Sequence, residues 1–383
     1  MVAAIRAGGS LRAVAERYHV SPSTIQRWVS RAGDNRLDRV TWTDRSHRPR
    51  QLYRTDGTTE DLVLQLRRTL KETSDLGEYG ALAIRRELLA RHHPAVPAVR
   101  TIGRILERRG ALDSQHRVRR PAPPRGWYLP EVAAGGAELD SFDIIEGLVI
   151  RGGTDVEVLT GVSLHGGLSA AWPGPPVTAR DVVERLTAHW RRFGLPSYAQ
   201  FDNDTPFQGA HQHRDCVSRV MRLCLSLDIV PVFAPVQEPG FQASVENWNG
   251  RWQGKVWARF HHESLAALAE RSERHVAAVR MRAAARLAAA PPRRPFPESW
   301  QLDLQQHPSG QIIFVRRATE RGQVNLLGHS IEVDPLWAHR LVRCEVHLDR
   351  HVIRFYALRR RQPDHQPLLR ELAYNLPRRR FNE

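Results

Sequence analysis

The stretch Tyr198-Ala-Gln-Phe-Asp202-Asn203-Asp204 decides how this chain is read. Tyr198 to Phe201 has the composition of a short strand, and Asp202 falls at its end, where the sheet behind it would hold the carboxylate rigidly. Two further acids occupy positions of the same kind. Asp140, in Glu138-Leu-Asp140-Ser-Phe, lies on a β-rich segment, and Glu246, in Ser244-Val-Glu246-Asn-Trp-Asn249, lies in the first turn of a helix. Asp143 competes with Asp140 for the first position and is set aside because Asp140 is better placed in its strand.

Around these acids the pattern predicts an α/β domain with a mixed sheet over residues 137–262. Glu138 to Ile145 and Val156 to Leu164 read as strands separated by the turn Arg151-Gly-Gly-Thr-Asp155, and Leu168 to Trp172 as a third. Thr178, with Asp181 three residues on, opens a helix in the manner of a capping box, and that helix stops at Gly194 with Pro196 beyond. Asp215 to Leu227 reads as a second helix and Ile229 to Val236 as another strand. Ser244 is the expected cap of a third helix, whose apolar face is Val245, Trp248, Trp252 and Val256. The order is β-β-β-α-β-α-β-α.

Residues 1–35 read as helix, turn, helix. Ser10 and Ser21 cap two short helices, Pro22 takes the first position of the second, and Ala15, Val20, Ile25 and Trp28 fall where the pair would meet. The spacing resembles the helix-turn-helix fold, which would present Ser23, Thr24, Gln26 and Arg27 to the DNA major groove. His19 stands in the turn where glycine is usual, because the backbone there often needs positive φ. Residues 36–59, with Arg45-Ser-His-Arg-Pro-Arg50, form a basic linker. Residues 60–112 form a second helical unit, with Leu62, Leu66 and Leu70 on one face and Val99, Ile102, Ile105 and Leu106 on another. A Pro-rich linker covers 113–136. Beyond the α/β domain, 263–297 hold an Ala- and Arg-rich helix and linker, read as an arm facing DNA or a second subunit. Five short alternating strands over 305–360 predict a small β-barrel, and 361–383 a disordered basic tail.

A chain of 383 residues with 41% hydrophobic content has room for several domains. Its net charge of +16, nearly all arginine because Lys71 and Lys255 are the only lysines, serves a polyanionic partner such as nucleic acid or an acidic membrane surface. No apolar run reaches the roughly 18 residues of a membrane span, and Met1 to Ser10 has no signal-peptide core. A soluble, intracellular protein is expected. Cys216, Cys224 and Cys344 form no C-x-x-C pair, which argues against a disulfide framework and a zinc finger.

With Asp140 on the first strand, Asp202 ending the fourth and Glu246 on the last helix, this order of elements resembles the ribonuclease-H-like catalytic domain of the integrase and transposase family. Within it the chain is most similar to bacterial insertion-sequence transposases with a DDE, integrase-type core. Gly80-Ala, Ile84, Leu88 and Arg100-Thr-Ile-Gly-Arg104-Ile-Leu106 resemble the second helix-turn-helix unit of those proteins. The resemblance implies that Asp140, Asp202 and Glu246 are catalytic and bind Mg2+ or Mn2+, two ions being expected. Hard cations of this kind want oxygen ligands, and a pair of them supplies a nucleophile, a stabilised leaving oxygen and charge relief at phosphorus. Activated water would cut a strand at the element's end, and the freed 3′-hydroxyl would attack a target phosphodiester.

The resemblance also implies DNA contacts by Arg100 and Arg104 and by Asn249, Arg251 and Lys255, a homo-oligomer on DNA, and a bacterial, cytoplasmic, nucleoid-associated location. Two features depart from the family pattern. Its D-N-G triplet is here Asp202-Asn203-Asp204, which adds a charge. Residues 203–245 put 43 residues between Asp202 and Glu246, more than is common, and Glu238 would satisfy the shorter spacing. Glu246 is preferred because it heads a helix, whereas Glu238 precedes Pro239-Gly240 in a loop; the additional length is assigned to the polar stretch Thr205 to Arg214. Two other readings stand beside this one: a site-specific DNA-binding protein that has lost catalysis, and a metal-dependent nuclease on the same fold.

Overall fold

A computed structural model describes residues 1–43, 55–74, 79–112, 123–150, 152–210, 213–236, 238 and 240–381. The basic run Arg45 to Arg50 lies outside the described residues, as do parts of both linkers. The chain divides into two units, Met1–Asp56 and Gly57–Glu383.

In the first unit, α1 (Val2–Arg6), α2 (Leu11–Arg17) and α3 (Pro22–Ala32) surround Val14, Ala15 and Ile25. Ser10 Oγ accepts from the Ala13 N–H and Ser21 Oγ from the Thr24 N–H, each at 3.2 Å, so both expected caps are formed. His19 takes φ 51° in the turn. Helix α1 was not anticipated.

The second unit opens with α4 (Gly57–Thr73), α5 (Ala81–Ala90) and α6 (Val99–Arg108). They enclose Val63, Leu66, Ile84, Leu88, Ile102 and Ile105. Buried Glu60 is neutralised by Arg108 and Arg109. After the short α7 (Pro130–Ala133) come β1 (Leu139–Ile150), β2 (Thr154–Ser163), β3 (Ser169–Gly174), α8 (Ala179–Phe193), β4 (Tyr198–Phe201), α9 (Thr205–Gln208), α10 (Arg219–Ser226), β5 (Val230–Phe233) and α11 (Ala243–Trp252). This is the expected order with α9 added. It places Phe207 in the core, within the stretch read as a loop. The Thr178–Asp181 capping box is present. Helix α11 starts two residues earlier than expected, with Gln242 rather than Ser244 at its N-cap.

The chain continues through α12 (Leu265–Arg282), α13 (Ala284–Ala288), β6 (Gln311–Arg317), β7 (Gln323–Leu326), β8 (His329–Glu332), β9 (Leu341–His347), β10 (Val352–Leu358) and β11 (Leu368–Ala373). Three expectations change here. The predicted arm is not free: α12 buries Leu268 and Val276 against Trp248 and Trp252, and its Ser272 accepts from Trp252 Nε1 at 2.9 Å. The predicted tail contains β11, antiparallel to β10.

The predicted barrel does not form as a separate body. Strand β6 runs parallel to β5, with Val232 opposite Ile313 and Phe233 opposite Phe314, and β9, β10 and β11 follow it outward. One mixed sheet results, in the order β11-β10-β9-β6-β5-β4-β1-β2-β3. The reason is in Ile312-Ile-Phe-Val315. All four residues are buried, alternating between the clusters on the two faces, as befits a central strand covered on both sides. Among the described residues, β7 and β8 form a separate two-stranded sheet.

On one face, α8 and α10 cover Phe142, Phe201 and Phe233; on the other, α11 and α12 cover Ile145 and Val158. Phe233 and Phe314 stack with ring centroids 5.1 Å apart. Phe314→Ala should therefore cost about 3–5 kcal/mol and lower the urea midpoint of the whole second unit in a single transition. Two transitions, with only the C-terminal strands affected, would contradict the continuous sheet.

Candidate active site

Strands β1 and β4 run parallel, with Asp140 opposite Ala199 and Ser141 opposite Gln200. Continued by two residues, that register brings Asp143 level with Asp202, which directly follows β4. Side chains alternate along a strand, so Ser141 and Asp143 share a face with Gln200 and Asp202. Ser141 Oγ donates to Gln200 Oε1 at 3.0 Å and pins the pairing from below.

Helix α11 lies on this face. Its Asn249 Nδ2 donates to Asp143 Oδ2 at 2.7 Å while its Oδ1 accepts from Thr160 Oγ1 at 2.6 Å. The other Asp143 oxygen accepts from the Ile144 N–H at 2.9 Å. Glu246, one turn before Asn249, is exposed, and its charge acts on Asp143. Asp204, in place of a turn glycine, contributes a fourth acid whose charge acts on both Asp143 and Asp202.

Asp140 is not part of this group. It lies three residues from Asp143, so strand alternation points it to the opposite face, with Phe142 against α8. There it is 1% exposed, and it accepts from Arg293 Nη1 at 2.9 Å and Nη2 at 2.5 Å and from Trp190 Nε1 at 3.2 Å. Glu238 is also elsewhere, paired with Arg317, whose Nε lies 2.6 Å from its Oε1. The structure thus sets Asp143, rather than Asp140, beside Asp202, with the charge of Glu246 acting on Asp143 from α11. Phe142 was the signal in the sequence: if it faces the core, Asp140 does too and Asp143 does not.

The remaining candidates divide by exposure. Asn249 is turned inward to Asp143 and Thr160, not outward to a DNA backbone, whereas Arg251 and Lys255 are exposed. Arg100 and Arg104 are exposed one turn apart on α6. On α3, Ser23, Gln26 and Arg27 are exposed, while Thr24 is half-buried with its hydroxyl 2.8 Å from Ser21 Oγ.

Burial pushes Asp202 up to about 8, and Asp204 and Asp143 add to it. Asp143 is pushed up to about 6, first by burial and further by Asp204 and Glu246, against the hydrogen bonds from Ile144 and Asn249. Among the described residues, no three His, Cys, Asp or Glu side chains stand close enough together to enclose a metal ion. The donor set nonetheless suits a divalent cation. All its members are hard oxygens, a cation would relieve their mutual repulsion, and the Oδ1 of adjacent Asn203 is buried without a partner.

Residues 1–39 match the family model described as a homeodomain-like domain. No curated protein matches the chain. Among solved structures, the chain is similar to one of a simian T-cell lymphotropic virus intasome in complex with PP2A regulatory subunit B56 gamma, at 15% identity over 69% of this chain and 84% of that one, with a TM-score of 0.34. It is also similar to the catalytic core domain of BIV integrase (22% identity, 35% and 79% coverage, TM-score 0.25). A third likeness is to the HTLV-2 integrase catalytic core domain in complex with magnesium (14% identity, 35% and 81% coverage, TM-score 0.27). No helix among the described residues is long and apolar enough to cross a membrane.

The raised carboxylates set a pH dependence. In the fold Asp202 holds its proton up to about 8, against about 3.9 in an unfolded chain. Between these values the folded state binds more protons, so stability falls as pH rises through the window. In EDTA, the urea midpoint of the second unit should drop from pH 5 to pH 8.5, and Asp202→Asn should flatten that slope. An unchanged slope would contradict the electrostatics described.

Proposed function

We propose that the chain is a DNA transposase or integrase that cleaves and joins DNA strands with divalent metal ions. The observation that carries this reading is the placing of Asp143 level with Asp202, on a central strand and at the end of its parallel neighbour, under a helix whose Glu246 acts on Asp143. This occurs in a chain of net charge +16 whose first residues match a homeodomain-like domain. A divalent ion pair, Mg2+ or Mn2+, would activate the attacking oxygen and neutralise the phosphate.

Asp143, Asp202 and Glu246 would hold the ions. Asn249 holds Asp143 in place between β1, β2 and α11. Arg251 and Lys255, exposed beyond Glu246, are placed to meet phosphates. Gln26 and Arg27, with Ser23, would read base edges from α3, and Arg100 and Arg104 would contact the DNA backbone from α6. A homo-oligomer is expected, because two DNA ends must be held together, and the site of action is nucleoid DNA in a bacterial cytoplasm.

The test is strand transfer by purified protein with Mg2+ or Mn2+ and DNA carrying the element's own terminal sequence. Asp143→Asn, Asp202→Asn and Glu246→Gln should each abolish joined products while specific binding persists. Asp140→Asn should lower stability by about 3 kcal/mol and, assayed where it is folded, still join DNA. The reverse ranking of Asp140 and Asp143 would reject the proposed site. Specific binding by wild type without cutting or joining would indicate the DNA-binding reading, which Asp204 and the 43 residues between Asp202 and Glu246 favour; cutting without joining would indicate a nuclease. Separately, Gln26→Ala and Arg27→Ala should each weaken specific binding by about 1–3 kcal/mol in a mobility-shift titration; equal affinity for specific and random DNA in wild type would remove α3 as the reader.

A further inference from the structure

Below the acids on the same face of the sheet, between α11, α12 and the β1–β4 pair, lies a cavity of about 510 Å3, within the range of small-ligand sites, roughly 300–1,000 Å3. Among the described residues, four arginines border it, Arg125, Arg251, Arg282 and Arg286, and no acid does. All four side chains are exposed. Arg286 is partly committed, donating to the Leu164 carbonyl at 2.5 Å; the other three have no ion-pair partner among the described residues. Unpaired cations around a cavity without acids favour an anion.

The interior differs from the rim. Phe241, Trp248, Val162 and Leu164 supply apolar and aromatic wall. Beyond them is a buried polar chain: Ser141 donates to Gln200 Oε1, and Gln200 Nε2 donates to Tyr128 Oη at 2.7 Å, which donates to the Phe241 carbonyl at 3.2 Å. This chain leaves one N–H of the Gln200 amide and a lone pair on its oxygen. Ser169, also in the lining, is 1% exposed and its Oγ has no hydrogen-bond partner. A buried hydroxyl left unpaired costs free energy unless a ligand completes it. The first turn of α11, at Ala243 and Ser244, borders the same space, and no side chain caps that helix, so its amide end adds to the positive field.

We infer that this cavity is a nucleotide site. A nucleobase would lie along Phe241 and Trp248 with its edge toward Gln200 and Ser169, and its phosphate would meet Arg125, Arg251 and Arg282. An amide edge with one donor and one acceptor suits base edges, aromatic walls bind any base face, and arginine suits phosphate. The nucleotide comes either from an unpaired DNA strand or from free nucleoside 5′-monophosphate. The inference rests on the cavity's own residues and does not require strand transfer.

The experiment uses the full chain in EDTA, so that no cleavage is needed. Fluorescence anisotropy measures binding of a short labelled single strand and of the same strand made abasic, which keeps every phosphate. Wild type should prefer the base-bearing strand by about tenfold. The exposed pair Arg251→Ala with Arg282→Ala should weaken that binding by a similar factor, and Ser244→Phe, which narrows the cavity beside Phe241 and Trp248 while keeping every member of the Ser141–Gln200–Tyr128 chain, should abolish the preference. Competition by nucleoside 5′-monophosphate that is lost in the same variants assigns the free nucleotide as the ligand; competition by oligonucleotide alone assigns the strand. Equal binding of the base-bearing and abasic strands by wild type, or a preference that survives Ser244→Phe, would overturn the site.

Discussion

The parallel pairing of β1 with β4 is the constraint on which the rest of the second unit depends. It sets two kinds of neighbour side by side. On the face under α8 and α10, Phe142 stacks on Phe201 at 5.8 Å, which stands 6.0 Å from Phe233, itself stacked on Phe314; such aromatic pairs contribute about 0.5–1.5 kcal/mol each beyond their burial. Gly161 on β2 makes room, because a Cβ there would fall 2.6 Å from the Phe142 ring. On the other face the same register lines up Ser141 with Gln200 and Asp143 with Asp202. A slip of one residue would exchange the two faces, placing the acids in the core and the aromatic rings under α11.

Two nearby acids on β1 therefore have opposite physical roles. Asp140 is compensated: a guanidinium fork and an indole N–H replace the water it has lost. Removing either ionic partner would leave the other charge buried, a loss of about 3–5 kcal/mol. Asp143 is only partly compensated, with N–H groups of Asn249 and Ile144 but no guanidinium set against its burial and the charges of Asp204 and Glu246. Perturbed acids of this second kind cluster at functional sites because the stability they cost has a use elsewhere. Burial alone does not separate the two; the sign of the neighbouring charges does.

Much of this was legible in the sequence, and the failures have local causes. Caps announced themselves: Ser10, Ser21 and the Thr178–Asp181 box each needed only a few residues of context. The strand and helix order around Asp202 followed from periodicity and from Gly and Pro punctuation. The choice between Asp140 and Asp143 needed the face of a strand, which depends on residues far along the chain; Arg293 and Trp190 cannot be tied to Asp140 by any local pattern. The barrel failed for a related reason. Alternation and turns show that strands exist, but they do not show which edge those strands join, and Ile312 to Val315 reads the same locally whether it closes a small barrel or extends a sheet. Asn249 looked like a surface residue of an amphipathic helix because its partners, Asp143 and Thr160, lie 106 and 89 positions away.

The Asp140–Arg293 pair, 153 positions apart in sequence, also bears on the order in which the protein can assemble. During synthesis, residues 137 to 262 emerge well before Arg293, and β6 later still. Until then the chain would have to bury a carboxylate with no cation and leave β5 as an open edge, the condition in which partly made domains expose sticky surface. Closure must wait for distant contacts, whose loop entropy slows folding. The sheet can therefore be completed only once the C-terminal third is available, and a ribosome stalled before Arg293 would hold a one-sided intermediate, with Asp140 lacking its guanidinium and β5 left as an open edge.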